Sequence, residues 1–132
     1  MLDLNWNYTT QDAWNAADLN RIESACVTLR DALYASGYSV SMLTKTDWTR
    51  TDRPTQSQID RIRRNVDALQ TGFYSLPDWR EIVYNSTMNA AQANALEWDL
   101  HAIETWLNRM LAALLPRQAN TQFMIAGGIF NV

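Results

Sequence analysis

Three stretches of this chain repeat one apolar spacing behind one kind of helix-start signal, and this constrains the fold more than any other feature. The positions are Leu19, Ile22, Cys26, Leu29 and Leu33, then Ile59, Ile62, Val66, Leu69 and Phe73, then Ala93, Leu96, Leu100, Ile103 and Leu107. A 3-4-3-4 step keeps one side of an α-helix apolar as a narrow stripe that must be buried against a partner. Asn15 with Asp18 and Thr55 with Gln58 form capping-box pairs, and Asn89 heads the third copy. Gly37 suits a helix C-terminus, and Pro116 ends the third helix. The pattern predicts helices over 15–36, 55–74 and 89–115. The expected fold class is all-α: a three-helix bundle (15–115) with long connections, an extended N-terminal arm (1–14) and an apolar C-terminal tail (116–132). The starts lie forty and then thirty-four residues apart, so the likeness reads as the shared demand of capped heptads rather than a solenoid of constant period.

With 132 residues, 47% of them apolar, and six tryptophans, the chain can build one real core. Its apolar runs fall well short of the ~20 residues of a membrane span. Asp3 and Asn5 stand where a signal peptide would be apolar, so a soluble protein made in the cytosol is expected. Cys26 is the single cysteine and sits on a stripe, which predicts a thiol packed as a small hydrophobe. A net charge of −3 disfavours nonspecific binding to nucleic acid or anionic membranes. Residues 45–64 nevertheless carry +3, leaving −6 for the remainder.

The connection 38–54 is long enough to need anchoring, either by Met42, Leu43 and Trp48 or by a partner. The second connection, 75–88, contains Trp79-Arg-Glu-Ile-Val-Tyr, which fits a short helical turn or a strand. Arm and tail carry more apolar surface than three stripes can cover, and surplus apolar surface marks interaction sites. Self-association and contact with neighbouring proteins are therefore expected, in preference to the alternative that arm and tail fold back over the bundle, through Trp6, Tyr8, Trp48, Arg50, Arg53, Phe123, Met124, Ile125, Ile129 and Phe130.

Candidate chemistry is thin. His101 falls between Glu97 and Glu104 on one helix face, a spacing that can hold a divalent metal, but no second His or Cys joins it and a solvated face is the preferred reading. Only His101 could serve as the base for a nucleophile, and Gly127-Gly128 has no helix after it to form a phosphate loop. No catalytic, cofactor-binding or metal residue is assigned, and an enzyme is not expected. Arg61, Arg63 and Arg64 offer the alternative of a small DNA-binding or regulatory bundle. The long connections argue against it, because helix-turn-helix units join short helices by three or four residues.

Several of these segments together resemble a known group. They are Ala17-Asp-Leu-Asn-Arg-Ile-Glu, Leu33 with Gly37-Tyr38, Trp48-Thr-Arg-Thr-Asp-Arg-Pro-Thr, Arg61-Ile-Arg-Arg-Asn-Val-Asp-Ala-Leu and Met88-Asn-Ala-Ala-Gln-Ala-Asn-Ala-Leu-Glu. In this order, over about residues 14–110, the chain resembles small proteins encoded in the tail gene regions of bacteriophages of Gram-positive bacteria. The most distinctive part is the W-x-x-x-D-x-P-T connection before the second helix. The resemblance implies a virion structural role in the tail tip, baseplate or fibre attachment, with itself and other virion proteins as partners.

Overall fold

The computed structural model describes residues 2–9 and 14–114. Helices run Ala16–Ala35 (α1), Gln56–Phe73 (α2) and Ala90–Leu114 (α3), within a residue of the expected bounds, and each packs on the other two. Each start is fixed by side chains that take up amides left free in the first turn. Asn15 with Asp18 and Thr55 with Gln58 form reciprocal capping boxes, and Asn89 Oδ1 accepts the Gln92 amide at 2.8 Å. At the end of α1 Gly37 adopts φ 96°. The Tyr38 amide then donates to the Leu33 carbonyl and the Gly37 amide to that of Tyr34, which turns the chain sharply off the helix.

The stripes form the core. All their residues are buried except Ile59, which is half-buried at the end where the helices begin. Ala25, Ala32, Ala102 and Leu111 extend the core alongside them.

The three helices run parallel. The 49–54 segment that leads into α2 lines a cleft with Asn15 and Ala16, and Pro54 and Ile59 line another with Ala90 and Ala93, so all three starts share one end. At the opposite end the Tyr38 and Phe73 rings meet at 5.0 Å, Tyr74 meets Trp106 at 6.3 Å, and the Tyr38 hydroxyl donates to Met110 Sδ. Parallel neighbours require the chain to return the full length of a helix. A 20-residue helix is about 30 Å long, which about nine or ten extended residues can span. This accounts for the long connections. They are extended straps laid back along the bundle: residues 38–48 in the groove between α1 and α2, and 76–88 in the groove between α2 and α3. The Trp79–Tyr84 run is neither helical turn nor paired strand, but part of this second strap. Residues 2–9 form a third strap in the groove between α3 and α1. Along it Leu2, Leu4, Trp6 and Tyr8 turn inward while Asp3, Asn5, Asn7 and Thr9 face out.

Candidate functional site

Acidic and amide side chains on the helices hold each strap by its main chain. In the α1–α2 groove, Asn20 grips both main-chain groups of Trp48: its Oδ1 accepts the amide at 2.7 Å and its Nδ2 donates to the carbonyl at 3.0 Å. One turn further along α1, Glu23 is fully buried. It accepts the Lys45 amide at 2.8 Å, the Trp48 indole N–H at 2.6 Å, and both guanidinium nitrogens of Arg61 on α2 at 2.6 and 3.0 Å. Arg61 also donates to the Leu43 carbonyl at 2.7 Å. A buried carboxylate is tolerated only when its lone pairs are filled and its charge is paired, and these four donors do both.

The α3–α1 groove repeats this arrangement group for group. Asn94 accepts the Tyr8 amide at 2.6 Å and donates to the Tyr8 carbonyl at 3.0 Å. Glu97 is likewise fully buried and accepts the Asn5 amide at 2.8 Å, the Tyr8 hydroxyl and both guanidinium nitrogens of Arg21 on α1. Arg21 donates in turn to the Asp3 carbonyl at 3.1 Å. Glu104 adds an acceptor for the Leu2 amide at 2.8 Å. Hydrogen bonding to Glu97 raises the Arg21 pKa further above its ordinary range. Burial, with Glu97 adding to it, raises that of the Tyr8 phenol. Tyr8 thus corresponds to Trp48, Asn94 to Asn20, Glu97 to Glu23 and Arg21 to Arg61. The likeness among the copies extends well beyond capped heptads: the repeating unit is a strap followed by a helix, arranged around a pseudo-threefold axis.

The α2–α3 groove departs from the scheme because Arg63 occupies the place of the glutamate. Arg63 is buried, donating to Asp60 Oδ1 at 2.8 Å and to Gln92 Oε1 at 2.7 Å. The Arg63 guanidinium draws the Asp60 carboxyl below its usual range, and Asp60 accepts the Asn85 amide at 3.1 Å. Asp99 on α3 accepts the Arg80 amide at 2.7 Å through Oδ1, while its Oδ2 is buried with no partner. Burial pushes the Asp99 carboxyl up to about 8.

These contacts place the residues singled out from the sequence. Trp48, at 5% exposure, gives its side chain to the core and has almost no surface left for a partner, contrary to the docking role expected of it. Trp6 and Tyr8 are half-buried against their own bundle. Tyr8 binds Glu97, and Trp6 packs on His101 at 4.4 Å and edge-on to Trp98 at 5.5 Å. The arm therefore folds back, because the α3–α1 groove offers it the same seat that the second groove offers Trp48. Leu43 does not anchor its connection by side chain, being 78% exposed; its carbonyl anchors it instead, accepting from Arg61 and from Asn65 Nδ2 at 2.7 Å. Arg50 and Arg53 are exposed beside Trp14 and Pro54. Phe123, Met124, Ile125, Ile129 and Phe130 lie outside the described residues. The basic face of α2 is reduced to Arg64, because Arg61 and Arg63 are drawn inward by Glu23 and Asp60. The carboxylates flanking His101 do not converge on it. Glu97 turns to Arg21 and Tyr8 and Glu104 to the Leu2 amide, and among the described residues no three His, Cys, Asp or Glu side chains cluster as metal ligands. In the W-x-x-x-D-x-P-T connection, Trp48 fills the core, Asp52 closes a turn on the Thr49 amide at 2.8 Å, and Pro54 leads into the Thr55 cap.

Buried carboxylates seating straps are the feature that sequence reasoning missed. Their signal was present as the Asn-x-x-Glu spacing of Asn20 to Glu23 and Asn94 to Glu97 inside the stripes, and as the forty-residue interval that joins Tyr8 to Trp48 as well as Arg21 to Arg61. No family model, curated protein or solved structure matches the chain.

Proposed function

We propose that the chain is a non-enzymatic structural subunit of a phage virion, in the tail, baseplate or fibre-attachment region, acting by self-association and by binding neighbouring virion proteins. Its resemblance to small tail-region proteins of phages of Gram-positive bacteria carries the assignment. The use of its ionisable groups supports it: Glu23, Glu97, Glu104 and Asp60 each accept a strap amide, and Arg21, Arg61 and Arg63 pair with them, so the polar interior serves as fastening. A particle component gains stability from assembly and exposes surfaces that only neighbours cover. Leu43, Val83, Tyr34 and Tyr74 are large apolar or aromatic residues on its exterior.

Light scattering over a range of protein concentrations tests the reading, together with titration of duplex DNA at low and moderate salt. Concentration-dependent oligomers without DNA binding are expected. A strictly monomeric species that binds duplex DNA with a steep salt dependence would overturn it.

A further inference from the structure

Each of the three grooves holds a strap by its main chain, and the α1–α2 and α3–α1 grooves are alike in construction but not in connectivity. The strap in the α1–α2 groove is joined to both walls, through Gly37 to α1 and through Pro54 to α2, and the 76–88 strap likewise joins α2 to α3. In the α3–α1 groove the strap leads into α1, and within residues 2–114 it reaches α3 only by way of α1 and α2, although α3 supplies Asn94, Glu97 and Glu104, its main points of attachment.

Resting on the self-association proposed above, we infer that the α3–α1 groove is an exchange site, in which the 2–9 strap of one copy seats in the groove of a second copy and links subunits of an assembly. Three observations carry this. The groove reads the strap mainly through its backbone, by the Leu2, Asn5 and Tyr8 amides and the Tyr8 carbonyl, together with one aromatic donor three residues after the amide on the glutamate. The same address in the α1–α2 groove is filled by Leu43-Thr-Lys-Thr-Asp-Trp48, so the chain itself shows that strap sequence can vary while the contacts persist. Finally, Glu97 and Glu104 are buried and give up their amide partners when the strap leaves, and the strap of a second copy restores them. A second copy carries the one segment already matched to every contact, including the inward Leu2, Leu4 and Trp6.

Since a strap makes the same contacts in either copy, the balance depends on effective concentration. A short tether holds the strap at its own groove at an effective concentration on the order of millimolar, so dilute chains keep their own strap and exchange becomes favourable at the local densities of an assembled particle.

Mixed-isotope NMR on the full chain tests this. Asn7, exposed and pointing out of the groove, is replaced (Asn7→Cys) and carries a nitroxide on unlabelled copies; these are mixed with ¹⁵N-labelled copies without the nitroxide, and buried Cys26 is left unmodified. As total concentration rises toward the millimolar range, amide signals of residues 94–104 on the ¹⁵N copies should lose intensity. Placing the nitroxide on the ¹⁵N chain itself, in dilute solution, should broaden the same signals and so report the seat. Intermolecular broadening absent from residues 94–104 in samples that light scattering shows to be oligomeric would overturn strap exchange while leaving the structural assignment intact. Chains that remain monomeric throughout would overturn both.

Discussion

At the scale of single residues, one buried acid among the described residues is not satisfied by its surroundings. The Asp99 carboxyl is buried, holds the Arg80 amide with one oxygen and has no partner for the other. Burial is the largest cause of its rise to about 8, Asp67 and Asp78 add to it, and the Arg80 amide and charge oppose it. In the unfolded chain it would ionise near its ordinary value of 3.8. Stability from this site is therefore complete below about pH 4 and is lost as pH rises through about 8, because folding must keep a proton that the unfolded chain releases. Asp99→Asn retains an acceptor for Arg80 and removes the titration. Urea titrations from pH 4 to 9 should show the variant gaining on the parent with pH, by on the order of a few kcal/mol at the alkaline end. A difference independent of pH would refute the assignment. Cys26 shows the inert counterpart. Burial raises its thiol to about 12 and its exposure is nil, so a disulfide reagent should react only as fast as the fold opens and should accelerate in parallel with unfolding in urea. Rapid labelling of the native chain would contradict this.

Among elements, the informative junction lies where the 38–48 strap crosses the end of α2. A glycine weakens the last turn of a helix through its backbone freedom, but the structure gives Gly72 a packing role: a β-carbon there would lie 2.5 Å from Val40 Cγ2 and 3.4 Å from the Ser39 carbonyl. Alanine in an exposed helix would be favoured over glycine by up to ~1 kcal/mol, yet here the clash opposes it and neither backbone nor Val40 can easily yield. Gly72→Ala should lower the melting temperature, whereas in a Val40→Ala background the same change should be neutral or stabilising. Additive losses in the two single variants would show that the strap is not seated there. This junction also shows how much was legible beforehand. Stripes, caps and the Gly37 stop obey local rules, so the three helices stand where the sequence indicates. The direction of the helices and the seating of Trp48 and Tyr8 depend on which groove each strap enters. That follows from pairing Glu23 with Arg61 and Glu97 with Arg21 across 38 and 76 residues, which no local pattern reveals. The same distant pairing hid the fate of the supposed basic face, since Arg61 and Arg63 look solvent-exposed until their acids are placed beside them.

For the whole molecule, pseudo-threefold construction predicts that equivalent substitutions have unequal reach. Glu23→Gln and Glu97→Gln remove the same kind of group: a buried carboxylate shared by a strap amide, an aromatic donor and an arginine from the next helix. Breaking one partner of a buried, hydrogen-bonded pair costs about 3 kcal/mol or more. In the Glu97 variant that loss has a ceiling, because the 2–9 strap can leave while the three stripes stay packed, and global stability then falls by no more than the free energy of seating the strap. The Glu23 variant has no such exit: its strap is tied to α1 and α2, and Trp48 cannot withdraw without opening the core. Native-state hydrogen exchange separates the two. Glu97→Gln should speed exchange at the Asn5 and Tyr8 amides far more than at Val66 and Leu69 in the middle of α2. Glu23→Gln should speed Lys45, Trp48, Val66 and Leu69 together and bring the larger drop in melting temperature. Equal acceleration of the α2 amides in both variants would mean that the arm is as integral to the core as the inner straps, and that the α3–α1 groove cannot open without unfolding the bundle.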